Sequence, residues 1–485
     1  MKQLQNPTFI SLIRIMNKKN LHQFGLKAIF VFAIFLRFIL ATVNQDANDP
    51  HIEVISMMVK GVIPQATDCW MCYHPKLYHF TCAVLIRLLD IETVRLQILL
   101  SGLINAVAGS LTLLVFYRFL AQIQLNNQMK VIAFALVALN PKLIGINAQV
   151  TNDSFVILLA TLSIYHLWQY FGSASLIRAT GIAVFAALAG ITKGSGLVLF
   201  AGIMGSLFAN LLGTWVEKSN LKKKILALTI IFVIFFSICA TLGSYYSNYK
   251  ILGSPLAILS KPAPTPHFFK KTVVGRPGVT SIFDAYFTFR LIDLIRMPHI
   301  NNEKLPFSLH RTSVWSQIYG RTYYVHFDYW PPRWSSDNPF IINIGRAALI
   351  FGLVPTLLVL IGFIVTAKEF LVRLCRIGLR IFCDQGRWIF LLFTVGFILM
   401  LLRITFVYRG FAFIKAIYIF PALICFMVHF IDGVEYLGGL IRRDKAYLKF
   451  VMLSCGFLLV LFVTDIMFLW LRLSHGYLQK YFGLP

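Results

Sequence analysis

The sequence predicts an all-α polytopic membrane protein, and three observations predict it. Hydrophobic residues make up 58% of the 485-residue chain and charged residues only 13%, too little polar surface for a soluble protein of this length. Apolar stretches of roughly 20 residues, enough to cross about 30 Å of hydrocarbon as a helix, recur along it. They are continuous and not alternating, so helices, not a closed barrel, satisfy the backbone in lipid. The formal charge of +26 gathers between these stretches, as it does in cytoplasmic loops. It therefore gives no argument for nucleic-acid binding.

About eleven spans follow from length and flanking charge. The first runs from Phe24 to Val43, behind the basic flank Arg14, Lys18 and Lys19. No small-residue cleavage site follows closely, so it reads as a retained helix and not a signal peptide. After a polar stretch, Asn44 to Lys76, the apolar segment Leu77 to Leu89 is too short to cross and reads as re-entrant or interfacial. The next spans are Leu96–Arg118, Val131–Asn147, Ser154–Phe171, Thr180–Ile191, Leu197–Trp215 and Ile225–Tyr245. A polar region rich in Pro, Tyr and Trp, Ser247 to Asn338, reads as an ordered loop. The last spans are Ile341–Thr366, Trp388–Leu402, Phe411–Phe430 and Phe450–Leu471. Three regions result: an N-terminal membrane module (1–246), a large outer loop (247–340) and a C-terminal membrane module (341–485).

With the N-terminus in the cytoplasm, every inner loop is net basic, for example Lys222 to Lys224 and Arg373 to Arg387. The first outer loop (44–76) is acidic. Were Leu77 to Leu89 to span, most basic loops would move outside. The same orientation gathers on one face the first outer loop, the turn at 148–153, the Lys193 turn, the large loop and the turn from Arg403 to Lys415.

That face holds the candidate chemistry. Asp46, Asp49, His51 and Glu53 follow the first span, and carboxylates there suit a general base or a metal; a merely solvated loop is the plain alternative. Cys69 and Cys72 suit a disulfide or free thiols better than zinc, since no second pair has metal spacing. His74, Lys76 and Tyr78 head the short helix, where an anion is favoured or aromatic anchoring suffices. Asp153 either caps its helix or stands at the mouth of a bundle. Lys193 lies in a Gly-Ser turn. Lys415 lies within an apolar stretch, either snorkelling or holding phosphate, and Arg403 and Arg409 bracket the same turn. Trp315, Tyr319, Tyr323, Tyr324, Trp330 and Trp334 either shape an acceptor site or anchor the large loop.

Taken in order, four motifs resemble the polyprenyl-phosphate-dependent glycosyltransferases of the GT-C fold, the family related to protein O-mannosyltransferases and the aminoarabinose transferase of lipid A. They are Asp46 to Glu53; Tyr73-His74-Pro75-Lys76-Leu77-Tyr78-His79; Asn140-Pro141 with Thr151-Asn152-Asp153; and Lys415, Tyr418 and Pro421. Lys76, His79 and Ile417 stand where the family usually has Pro, Tyr and Arg. The resemblance covers most of the membrane core. It implies a GT-C-like bundle and a sugar donor on polyprenyl or dolichyl phosphate. Asp49 or Asp46 is then the base, with Asp153 as a third catalytic candidate holding a metal or the acceptor. His51, Glu53, His74, Lys76, Lys193, Arg409, Lys415 and Tyr418 are candidates to bind substrate, with or without a divalent metal ion. The acceptor is a lipid, glycan or protein. The membrane is the inner membrane if the source is bacterial and the endoplasmic reticulum if eukaryotic. A transporter or flippase is the alternative, but such proteins carry internal repeats and a midplane site, and here the polar residues sit at one surface.

Overall fold

The computed structural model describes residues 9–45, 50–123, 127–217, 221–256, 282–298, 312–327, 334, 338–383, 385–407, 414–441 and 445–482. In chain order the helices are α1 (Phe9–Val43), α2 (His51–Val59), α3 (Leu77–Leu88), α4 (Val94–Gln122), α5 (Asn127–Ala138), α6 (Pro141–Asn147), α7 (Asp153–Gly172), α8 (Leu176–Gly190), α9 (Ser195–Glu217), α10 (Leu221–Leu242) and α11 (Tyr245–Leu252). The loop adds α12 (Ile282–Phe287), α13 (Leu291–Arg296) and α14 (Val314–Tyr323). The chain ends with α15 (Pro339–Phe351), α16 (Leu353–Ile377), α17 (Trp388–Val407), α18 (Leu423–Leu440) and α19 (Lys445–Phe482).

Among the described residues nine helical stretches are long and apolar enough to cross a membrane, and a bent pair, α5 with α6, makes ten. The eleventh expected span is α8, at 15 residues short of the usual crossing length. Leu77 to Leu88 forms a short helix of 12 residues, as its length predicts.

The third span is not the straight helix expected of Val131–Asn147. It bends by 50° between α5 and α6, because Pro141 cannot donate into the preceding turn. Asn140 restarts the helix by accepting from Leu143 N at 2.9 Å, a side-chain cap. The bend leaves α5 carbonyls without helical partners, and lipid supplies none. Arg37 of α1, fully buried, serves here: its guanidinium donates to Ala138 O at 2.9 Å and to Asn147 Oδ1 at 2.9 Å. Gly109 lets α4 pass against the Asn147 side chain, where a Cβ would collide.

One apolar core runs through the bundle from Ala33 in α1 to Leu473 in α19. α16 and α18 approach backbone to backbone at Gly362 and Gly433, where no side chain fits, the small-residue packing that joins helices in lipid. The loop aromatics build a second core. Tyr319 donates to Leu349 O, Tyr324 donates to Ile341 O at 3.1 Å, and Trp334 is buried against Gly145. These rings hold the loop on the bundle. Trp330 lies outside the described residues.

Candidate functional site at one end of the bundle

Five segments converge at one end. The head of α3 docks on the end of α8 through Leu77 N donating to Ile191 O at 3.0 Å. α11 clasps the preceding residues: Asn248 Nδ2 donates to Tyr73 O at 2.8 Å, and Tyr245 Oη to Gly190 O at 2.5 Å. The turn before α7 is held from α4, where Asn105 Nδ2 donates to Gln149 O at 2.6 Å and Thr151 O at 2.7 Å and lies 3.2 Å from Tyr78 Oη. Asn152 Nδ2 ties that turn to Thr192 O at 3.2 Å. Apart from the Asn105–Tyr78 contact, each of these bonds reaches a backbone group at the end of a helix or in a turn.

Two clusters result. In the first, Lys193 Nζ pairs with Asp153 Oδ1 at 2.5 Å, with side chains 13% and 6% exposed. Thr151 Oγ1 donates to Asp153 Oδ2 at 2.8 Å. Lys193 Nζ also lies 5.8 Å from the centre of the Tyr418 ring, within reach of a cation–π attraction. Tyr418 sits in a 3-10 turn, Ala416–Tyr418, directly after half-buried Lys415.

In the second cluster His51 Nδ1 and His79 Nε2 are 2.9 Å apart, so one donates and the other accepts. His51 also stacks on His74 with ring centres 5.5 Å apart. Burial, followed by the charges of His51, Lys193, His79 and Lys76, holds His74 well below the usual imidazole range. Burial does the same to His79, with His51 and Lys76 adding to it. Lys193 and Lys76 thus both act electrostatically on the histidines, and the clusters form one neighbourhood. Lys76 donates to Cys72 O. Burial lowers its ammonium from the ordinary range to about 8, against a raising effect of Asp68. Cys69 and Cys72 are joined as a disulfide, the first of the readings their spacing allowed.

The structure therefore brings together His51, His74, Lys76, Asp153, Lys193 and Tyr418, with Lys415 beside the last. Glu53 is exposed on α2, away from the face that buries His51, Val54 and Ile55. Asp46, Asp49 and Arg409 lie outside the described residues. His79 and Asn105 are partners that sequence reasoning did not select for the site. The signal for Asn105 is an amide inside an apolar span; that for His79 is its place in the Tyr73–His79 motif, where the resembled family usually has Tyr.

Among the described residues no three His, Cys, Asp or Glu side chains converge to hold a metal ion. Both Asp153 oxygens are already engaged, by Lys193 and by Thr151.

Residues 96–252, which include Asp153 and Lys193, match the family model described as dolichyl-phosphate-mannose-protein mannosyltransferase. No curated protein matches the chain significantly. Among solved structures, the apo oligosaccharyltransferase of Archaeoglobus fulgidus aligns at 12% identity and a TM-score of 0.49, over 93% of this chain and 56% of that one. The Archaeoglobus fulgidus AglB in complex with an inhibitory peptide and a dolichol-phosphate aligns at 11% identity and 0.48, over 95% and 56%. ArnT from Cupriavidus metallidurans bound to undecaprenyl phosphate aligns at 15% identity and 0.35, over 85% and 78%. The chain thus spans about half the length of the archaeal structures. The family model covers about a third of the chain, and over that segment the chain is similar to the protein mannosyltransferases; the helix architecture is that of a multi-pass membrane protein.

Proposed function

We propose that this protein is a membrane glycosyltransferase. It moves a sugar from a polyprenyl- or dolichyl-phosphate donor to an acceptor hydroxyl at the extracytoplasmic face, with inversion at the anomeric carbon. The observation that carries the reading is the buried Asp153–Lys193 pair. It lies inside the family-matched segment, beside Tyr418 and the histidine cluster, at one end of a membrane bundle.

The reaction has two demands. The acceptor O–H must lose its proton as its oxygen bonds to the anomeric carbon, which calls for a carboxylate near the acceptor. Asp49 or Asp46 takes that proton. The bond from the anomeric carbon to the phosphate oxygen breaks, and polyprenyl phosphate leaves with the electron pair. Fixed positive charge at that oxygen lowers the barrier. Lys193 and Lys76, with Lys415 and Arg409 in the same turn region, supply it. His51, His74 and Tyr418 are assigned to the donor pocket, and Glu53, exposed on α2, to the acceptor. Asp153 holds Lys193 in position. The acceptor class is a lipid, glycan or protein. The cytoplasmic N-terminus puts the site on the extracytoplasmic side of the inner membrane or in the lumen of the endoplasmic reticulum. No step is assigned to a metal.

The test is release of free polyprenyl phosphate from protein in nanodiscs, given a panel of polyprenyl-phosphate sugars and crude acceptor extract. Release is expected with one donor and is lost in Asp49→Asn or Asp46→Asn. Full activity in both variants overturns the base assignment. Movement of labelled lipid between leaflets of liposomes, with no release from any donor, favours a flippase.

A further inference from the structure

The large loop carries two short helices with large apolar side chains exposed. On α12 and α13, Phe283, Phe287 and Ile292 are 67%, 72% and 68% exposed, and Ile282 and Phe289 are exposed as well. The Phe283 and Phe287 rings stack with centres 5.4 Å apart. On α12 the acid turns inward: Asp284 receives Arg290 and, at 2.5 Å, the Thr312 hydroxyl, and the backbone Arg290 N donates to Ser316 Oγ at 2.7 Å. Hydrogen bonding of the acid overcomes its partial burial and holds Asp284 below the usual carboxylate range. A solvated segment would show the reverse arrangement.

Two ties fix the height of the segment. Arg346, in the second turn of α15, donates to Ile295 O at 2.9 Å and to Arg296 O at 3.2 Å. α15 opens the apolar stretch 339–383. Tyr286 Oη lies 3.4 Å from Thr405 Oγ1, and Thr405 is one residue from the end of the apolar stretch Trp388–Phe406. Two spans thus hold α12 and α13 against the bundle, one of them at Thr405, next to the end of its apolar stretch. Near the ends of spans aromatic side chains concentrate, and short apolar faces there lie in the interface plane.

We propose that α12 and α13 form an interfacial anchor, with Phe283, Phe287 and Ile292 seated among lipids of the leaflet at the site's end of the bundle. The occupant of this apolar face is the bilayer. The anchor ties the loop to the membrane surface and thereby sets the depth of the Asp153–Lys193 pair relative to the lipid headgroups. It stands whether or not the glycosyl-transfer reading holds.

The test is photocrosslinking in the full chain. Phe283, Phe287 or Ile292 is replaced one at a time by p-benzoylphenylalanine, the protein is irradiated in phospholipid nanodiscs, and adducts are read by mass spectrometry. Leu360, 51% exposed on a spanning helix, is the lipid-facing reference. Phospholipid adducts are expected at all three positions, within about threefold of the Leu360 yield, because interfacial side chains meet the upper acyl chains. Adducts to other peptides of this chain, or no lipid adduct where Leu360 forms one, overturn the proposal. Three separate positions guard against one variant failing to fold, and the readout is independent of activity.

Discussion

At the scale of single residues, the Asp153–Lys193 pair is the part of the site most open to measurement. Both side chains are largely out of water, so removing one charge strands the other. Breaking a buried pair on one side costs about 3–5 kcal/mol, while removing both charges costs much less. Asp153→Asn and Lys193→Met should each lower the melting temperature in detergent, and the double variant should recover most of the loss without recovering transfer. Additive losses would show that the two do not act as a pair. Lys76 gives a pH prediction. Burial brings its ammonium to about 8, so it is charged below that pH and loses charge as pH rises through it. If it binds the donor phosphate, KM for donor should climb above pH 8, and Lys76→Arg should flatten that limb. A KM independent of pH between 7 and 9 would remove Lys76 from the phosphate site. Sequence pattern reached most of these residues but not their partnerships. Asp153 and Lys193 are 40 positions apart, and only the docking of the 149–153 turn on Thr192 makes them neighbours.

Elements were more legible than residues, for a physical reason. A span is announced by its own composition, since lipid accepts only apolar helices with internally satisfied backbones. What composition hides is how a span is broken or paired. Val131–Asn147 reads as one helix; that Arg37, a hundred positions away in sequence, takes the carbonyl freed at the Pro141 bend is a tertiary fact. The α16–α18 contact is hidden in the same way, since Gly362 and Gly433 look like ordinary glycines in apolar runs. There a Cβ on Gly433 would overlap the backbone of Leu358, and one on Gly362 the backbone of His429. Backbone cannot rotate aside as a side chain can. Gly433→Ala should therefore cost about 1–3 kcal/mol or more, the range for overpacked sites, and thermal unfolding should show it. Gly439→Ala, on the same helix with open space around it, should be neutral or mildly stabilising, since alanine is the better helix former. Equal effects at the two glycines would argue against the close crossing.

At the scale of the whole molecule, the bundle has two chemically distinct ends. One holds the disulfide, the histidines and the Asp153–Lys193 pair. At the other, Asn210 of α9 donates to Phe382 O at 2.6 Å and Gln385 to Trp168 O at 2.8 Å. Arg387 there pairs with Asp432 and, at 3.3 Å, with Glu435. That second end also carries exposed Arg373, Arg376 and Arg380, the charge bias of a cytoplasmic face. A disulfide at the first end agrees with an oxidising compartment there. The two signals are independent and agree with the proposed orientation, which labelling can test. Cys375 is exposed and Cys383 half-buried at the second end, while Cys82, Cys239, Cys425 and Cys455 are buried. A membrane-impermeant maleimide should therefore leave intact cells or sealed right-side-out vesicles unlabelled. It should label Cys375 once the cytoplasmic face is opened. Labelling of Cys375 from outside would invert the bundle, put the Asp153–Lys193 end in the cytoplasm, and remove the compartment on which an extracytoplasmic transfer reaction depends.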